Sequence, residues 1–98
     1  MNGKMPIEGK YLMYNGKPLV REKNLICYGN MTDKYYLSML ILTTKVIDGK
    51  ETPNNILVQI LTTGEKTKII KQVNKNNLYD AFDIGTIWLE RALSDSAT

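Results

Sequence analysis

Two long apolar runs, residues 35–47 and 56–63, constrain the fold of this chain more than any other feature. Both are rich in aromatic and β-branched residues, which suit a pleated surface. Runs this apolar have no decisive period, so their boundaries choose between strand and helix. The second run starts after Pro53 and stops at Gly64, as a strand does. Between the two lies a polar connection, residues 48–55. It opens on Asp48-Gly49, a pair that tolerates positive φ and predicts a hairpin turn. Pro53 cannot donate to a ladder and is expected in the loop or at an edge. In the first strand Leu37, Met39 and Ile41 point one way, and Leu40, Leu42 and Val46 the other. In the second, Ile56, Val58 and Ile60 oppose Leu57 and Leu61. Strands that are apolar on both faces need cover on both, and one helix covers only one.

The remaining elements fit around this hairpin. Lys10–Tyr14 reads as a first strand, followed by Asn15-Gly16, a strong hairpin signal. Residues 19–21 return, with Pro18 near the start, and 25–28 form a third strand after a turn at 22–24. Residues 66–73 alternate loosely and predict a last strand at an edge, where lysines block unwanted pairing. One helix is expected over 78–93. Asn77 is its N-cap, with Asp80 three residues on in a weak capping-box arrangement. Asp80 and Asp83 suit the positive end of its dipole and Arg91 the negative end. Leu78, Ala81, Phe82, Gly85, Leu89, Ala92 and Leu93 form an apolar stripe, with Trp88 on its flank. Gly85 within that stripe predicts a close approach of helix to sheet. Ile84 and Ile87 project roughly 120–180° from the stripe centre and are candidates for self-association.

The expected fold class is therefore α+β: an antiparallel β-meander of five to six strands with one C-terminal helix packed on one face. The domain organisation read from the sequence is a flexible N-terminal segment at 1–9, a single domain at 10–94 and a tail at 95–98. Cys27 is the one cysteine, so no intramolecular disulfide can form, and a reducing compartment is expected. No apolar leader opens the chain, and no apolar run is long enough to span a bilayer. These features predict a cytoplasmic protein. Eleven lysines against two arginines, with many Asn and Ile, match the codon bias of an AT-rich bacterial genome.

The composition excludes much chemistry. The sequence has no histidine, which removes the usual Ser/His and Cys/His nucleophile pairs. Common zinc, haem and iron–sulfur sites need ligands that this chain lacks. Cys27 sits between Ile26 and Tyr28 and is expected as a small core residue rather than a reactive thiol. No glycine-rich phosphate loop is present. Asp80 and Asp83 read as solvated charge at a helix start, and Asp33, Asp48 and Glu51 as residues of separate turns. No catalytic residue, metal ligand, cofactor or small-molecule ligand is inferred, and the chain is not expected to be an enzyme.

Charge is the remaining positive signal. The net charge is +3, divided unevenly. Residues 1–75 carry twelve cations and six anions, and residues 76–98 one cation and four anions. Tyr11, Tyr14, Tyr28, Tyr35 and Tyr36 are interleaved with the lysines of the basic part. Lysines for phosphates and rings for base stacking are the needs of sequence-tolerant single-strand binding. Lys66, Lys68, Lys71, Tyr11 and Tyr14 are the candidate nucleic-acid contacts. Edge protection and half-buried strand tyrosines account for the same residues without a ligand.

A run of antiparallel strands followed by one C-terminal helix is similar in topology to the dimeric single-stranded-DNA-binding domains of the transcriptional-coactivator type and the related whirly proteins. That resemblance implies a fold and a binding class, and it carries over no residue. The hairpin Tyr14-Asn15-Gly16-Lys17-Pro18-Leu19-Val20-Arg21 and the segment Trp88-Leu89-Glu90-Arg91-Ala92-Leu93 also resemble small bacterial proteins without an assigned function. The function expected from all this is a non-enzymatic interaction module that self-associates as a homodimer, its partner a second copy of itself. The alternative is a single-stranded nucleic-acid binder.

Overall fold

The computed structural model describes residues 10–96, and the side chains of 12–95 among them. The segment 1–9 expected to be flexible lies outside the described residues. Six strands form one antiparallel sheet in sequence order: β1 (Lys10–Tyr14), β2 (Lys17–Glu22), β3 (Leu25–Tyr28), β4 (Tyr35–Ile47), β5 (Lys50–Thr62) and β6 (Ile69–Lys75). Helix α1 (Leu78–Ser96) follows and packs over β4, β5 and β6. The fold is the α+β meander that the sequence predicts.

Local chemistry sets the connections. Asn15-Gly16 and Asp48-Gly49 have φ of 50° and 79°, and of 51° and 77°. Both residues of each pair occupy the left-handed region that a tight two-residue hairpin turn demands. At the start of α1 the Asn77 Oδ1 accepts from the Asp80 backbone N–H at 2.8 Å. The Asn77 Nδ2 donates to the Asp80 carboxylate at 3.0 Å, so cap and third helical residue hold each other. The helix then runs three residues past its expected end at 93.

The core lies between α1 and one sheet face. Leu37, Met39 and Ile41 of β4 pair with Ile60, Val58 and Ile56 of β5, and all six are buried. Ile26 and Tyr28 of β3 extend this layer, and Ala81 and Leu89 close it from the helix. Gly85 sits directly over Leu37. A Cβ at position 85 would meet the Leu37 methyl carbons at 2.6 and 2.8 Å, well inside contact distance. The glycine thus permits the close approach that the stripe implies. Tyr14, Tyr28 and Phe82 pack edge to face, with ring centroids 5.2–5.8 Å apart. The Tyr28 hydroxyl donates to the Tyr14 carbonyl at 2.7 Å.

Two features differ from the sequence reading. Residues 50–55, expected in the polar connection, belong to β5, so the turn contains only Asp48 and Gly49. The ladder between Thr43, Thr44, Lys45 and their partners holds these polar residues extended without a buried face. Pro53 lies opposite Thr44, where no third strand flanks β5 and its missing N–H costs nothing. The second difference is Ile84, which is half-buried and packs against the core beside Trp88. The stripe of α1 is wider than expected on the β6 side. Ile87 is the residue that stays outside it, 39% exposed.

Replacing Gly85 with alanine tests the close approach. Helix propensity alone favours Gly85→Ala by about 1 kcal/mol. Overpacking against the fully buried Leu37 opposes it by about 1–3 kcal/mol, so net destabilisation is expected. A urea titration reads the sign, and a stabilised variant would contradict this packing.

Candidate functional site: an open sheet face and a basic cleft

Strand alternation places every second residue on the face away from α1. A row of Leu25, Leu40 and Leu57 crosses three strands in register. Tyr36 and Leu61 form a second apolar row. Val20, Cys27, Ser38, Gln59 and Gln72 lie between them. The Gln59 Nε2 donates to the Gln72 Oε1 at 3.0 Å, which satisfies part of the polar end of that row. Leu40 and Leu25 remain 37% and 39% exposed at the centre of the sheet, and Leu42 46%. Ser38 and Leu61 on this side are buried and Tyr36 and Leu57 half-buried, and among the described residues there is no second helix to cover the face.

Beyond Ile41 and Ile56 the β4–β5 hairpin continues alone, past the ends of β3 and β6. Two shifts of register near Thr43 re-aim this arm. The Thr43 hydroxyl bonds Asn54 Oδ1 at 2.6 Å beside them. Val46 and Ile47 near the tip are exposed. A two-stranded ribbon of this kind has little stability of its own.

Cys27 lies half-buried on the open face, between Val20 and Ser38, rather than in the core under α1. Burial pushes its thiol above the ordinary value of 9.0 and keeps it protonated, hence a weak nucleophile, at neutral pH. Burial also raises Tyr36, with a smaller contribution from Cys27. Tyr28 is raised by burial first, then by Tyr14 and Glu90.

The five candidate nucleic-acid contacts do not converge. Tyr11 and Tyr14 belong to β1 and Lys71 to β6, at opposite edges of the sheet, separated by five strand spacings or about 24 Å. The Tyr14 ring is engaged with Tyr28 and Phe82. Of Tyr11 the backbone pairing with Val20 is described, and its side chain lies outside the described residues. Lys66 and Lys68 sit in the exposed β5–β6 connection, tied by backbone bonds to the Thr62 hydroxyl.

Lys71 joins a different group. The start of β4, the start of β6 and the second half of α1 enclose a cleft of about 510 Å³. Lys34, Lys71 and Arg91 line it with Tyr35, Trp88 and Asp95. The Lys71 Nζ lies 5.1 Å from the Trp88 ring centroid, a cation–π contact. Sequence reading found Lys71 but missed Lys34, Tyr35, Trp88 and Arg91 as a group. Three separate segments supply them, and no spacing marks the set.

Comparison with known protein families, with curated proteins and with solved structures finds no match to this chain. Among the described residues no helix is long and apolar enough to cross a membrane.

The raised Cys27, Tyr28 and Tyr36 imply a pH dependence. Folding favours their protonated forms, so the unfolded chain releases these protons first as pH rises. Their contribution is whole below the ordinary values of 9.0 for Cys27 and 10.0 for the tyrosines, and is lost as pH climbs through the raised ones. Denaturation midpoints from these groups should stay level at about pH 7–8 and fall above pH 9. Replacing Cys27 with serine should flatten the first part of that fall. An unchanged alkaline profile in Cys27→Ser would contradict the assignment.

Proposed function

We propose that this chain is a non-enzymatic interaction module that self-associates, two copies packing sheet on sheet through the face that α1 leaves open. The observation that carries this reading is the row Leu25–Leu40–Leu57 at the centre of an uncovered sheet. Apolar surface of this continuity marks an interaction site more often than scattered exposed residues do. A two-fold pairing is self-complementary by construction, because the same rows meet their own copies. Packed sheets lie about 10 Å apart and interdigitate side chains of this size.

Magnitude decides the kind of dimer. Five strand spacings of about 4.8 Å, and six residues of β4 at about 3.4 Å each, give a face of about 500 Å². Two such faces bury about 1,000 Å², the lower bound for a specific interface and below the standard of about 1,600 Å². A reversible dimer of micromolar affinity is expected, not an obligate one. Ile84 is committed to the core, and Ile87 stands on the helix, away from this face. The cytoplasm is the compartment in which this reading places the chain, with Cys27 kept reduced.

Sedimentation velocity at increasing concentration tests the proposal. The native chain should pass from monomer to dimer in the micromolar range. Leu40→Glu buries an unpaired carboxylate at the contact and should weaken association at least about 100-fold. Its folding stability should change by no more than about 1 kcal/mol, since position 40 is partly exposed in the single chain. Ile87→Asp should leave association unaltered. A native chain that remains monomeric at high micromolar concentration, or a dimer broken by Ile87→Asp and not by Leu40→Glu, would overturn it.

A further inference from the structure

We propose that the cleft between α1 and β6 binds a nucleoside 5′-phosphate, with Lys34, Lys71 and Arg91 receiving the phosphate and Tyr35 supplying the surface for the base. The cleft lies on the helix side of the sheet, away from the open face, and does not depend on self-association.

Four observations carry the inference. Three cations and one carboxylate line the same concavity, so the lining favours an anion. Arg91 is the single cation of residues 76–98, and the fold turns it towards two cations from the other part of the chain. Its planar fork suits phosphate oxygens, while lysines act as point charges. The volume of about 510 Å³ fits a small ligand of mononucleotide size.

The fourth observation is the contact of Lys71 with Trp88. A surface lysine loses side-chain freedom when it captures a ligand. Here the cation–π contact already holds the ammonium against the cleft wall, so less freedom remains to be lost. The shared chemistry, a phosphate attached to a base-bearing sugar, occurs in a free nucleotide and at the end of a single strand. The cleft is too small for the extended footprint that Lys66, Lys68 and Tyr14 would require.

Trp88 is the one tryptophan in the sequence, so fluorescence excited at its red edge reports on this cleft alone. The experiment titrates the full chain with adenosine 5′-monophosphate, with adenosine and with 5′-phosphorylated pentathymidylate at low salt. Isothermal calorimetry supplies affinities independently of the optical change. Saturable binding of the monophosphate that weakens with added salt supports the proposal with a free nucleotide as ligand. Binding of the phosphorylated oligonucleotide alone supports it with a strand end as ligand. The double variant Lys34→Glu/Arg91→Glu should weaken whichever binds at least about tenfold. Its thermal midpoint should match the native one, because both side chains are exposed. Three results overturn the inference: adenosine binding as tightly as its monophosphate, affinity unmoved by the double variant, or no binding of either phosphate at millimolar concentration.

Discussion

The β4–β5 hairpin is apolar on both sides, and the rest of the structure answers that fact. Its helix-facing residues, Leu37, Met39 and Ile41 with Ile56, Val58 and Ile60, are fully covered by α1. The chain has no second helix among its described residues for the other side. Sheet pairing has satisfied the backbone, so the remaining driving force on the open face is the burial of side chains. A single copy cannot supply it. The fold therefore reaches a complete two-layer arrangement on one side only, and the proposed dimer supplies the missing layer.

The central strands, both two-residue turns, the N-cap and the helical stripe were legible in the sequence because each is a local signal. Asn15-Gly16 and Asp48-Gly49 specify their turns by conformation alone. Asn77 and Asp80 meet across three residues of one helical turn. Gly85 pointed to close packing because a glycine inside an apolar stripe gives up helix propensity and leaves room for a neighbour. Leu37 fills that room. The continuation of β5 through Lys50–Asn55 was not legible. Its residues are polar and include Pro53, and only pairing with Thr43–Ile47 makes them a strand. The partial burial of Ile84 was not legible because an ideal helical wheel makes the packed face of α1 narrower than it is beside Trp88.

The basic residues illustrate the other limit. Lysine and tyrosine were counted correctly along the chain, but proximity in a sheet follows strand order and face. Tyr14 and Lys71 fall at opposite edges, whereas Lys34, Lys71 and Arg91, far apart in sequence, line one cleft. A meander places its first strand as far as possible from its last. The helix then returns over the sheet: its second half completes the cleft with the starts of β4 and β6, while Phe82 in its first half meets Tyr14 of β1 and Tyr28 of β3. Two surfaces of different chemistry result, an apolar face and a charged cleft, on opposite sides of the same sheet.

The most direct test of the central claim is the rate of Cys27 alkylation at neutral pH as a function of protein concentration. Cys27 lies on the open face between Val20 and Ser38, so it senses cover of that face without any mutation. The account predicts a rate that falls as concentration rises through the micromolar range and levels off when the face is occupied. A rate that is the same in dilute and concentrated solution would mean that the open face stays open, and would contradict the account.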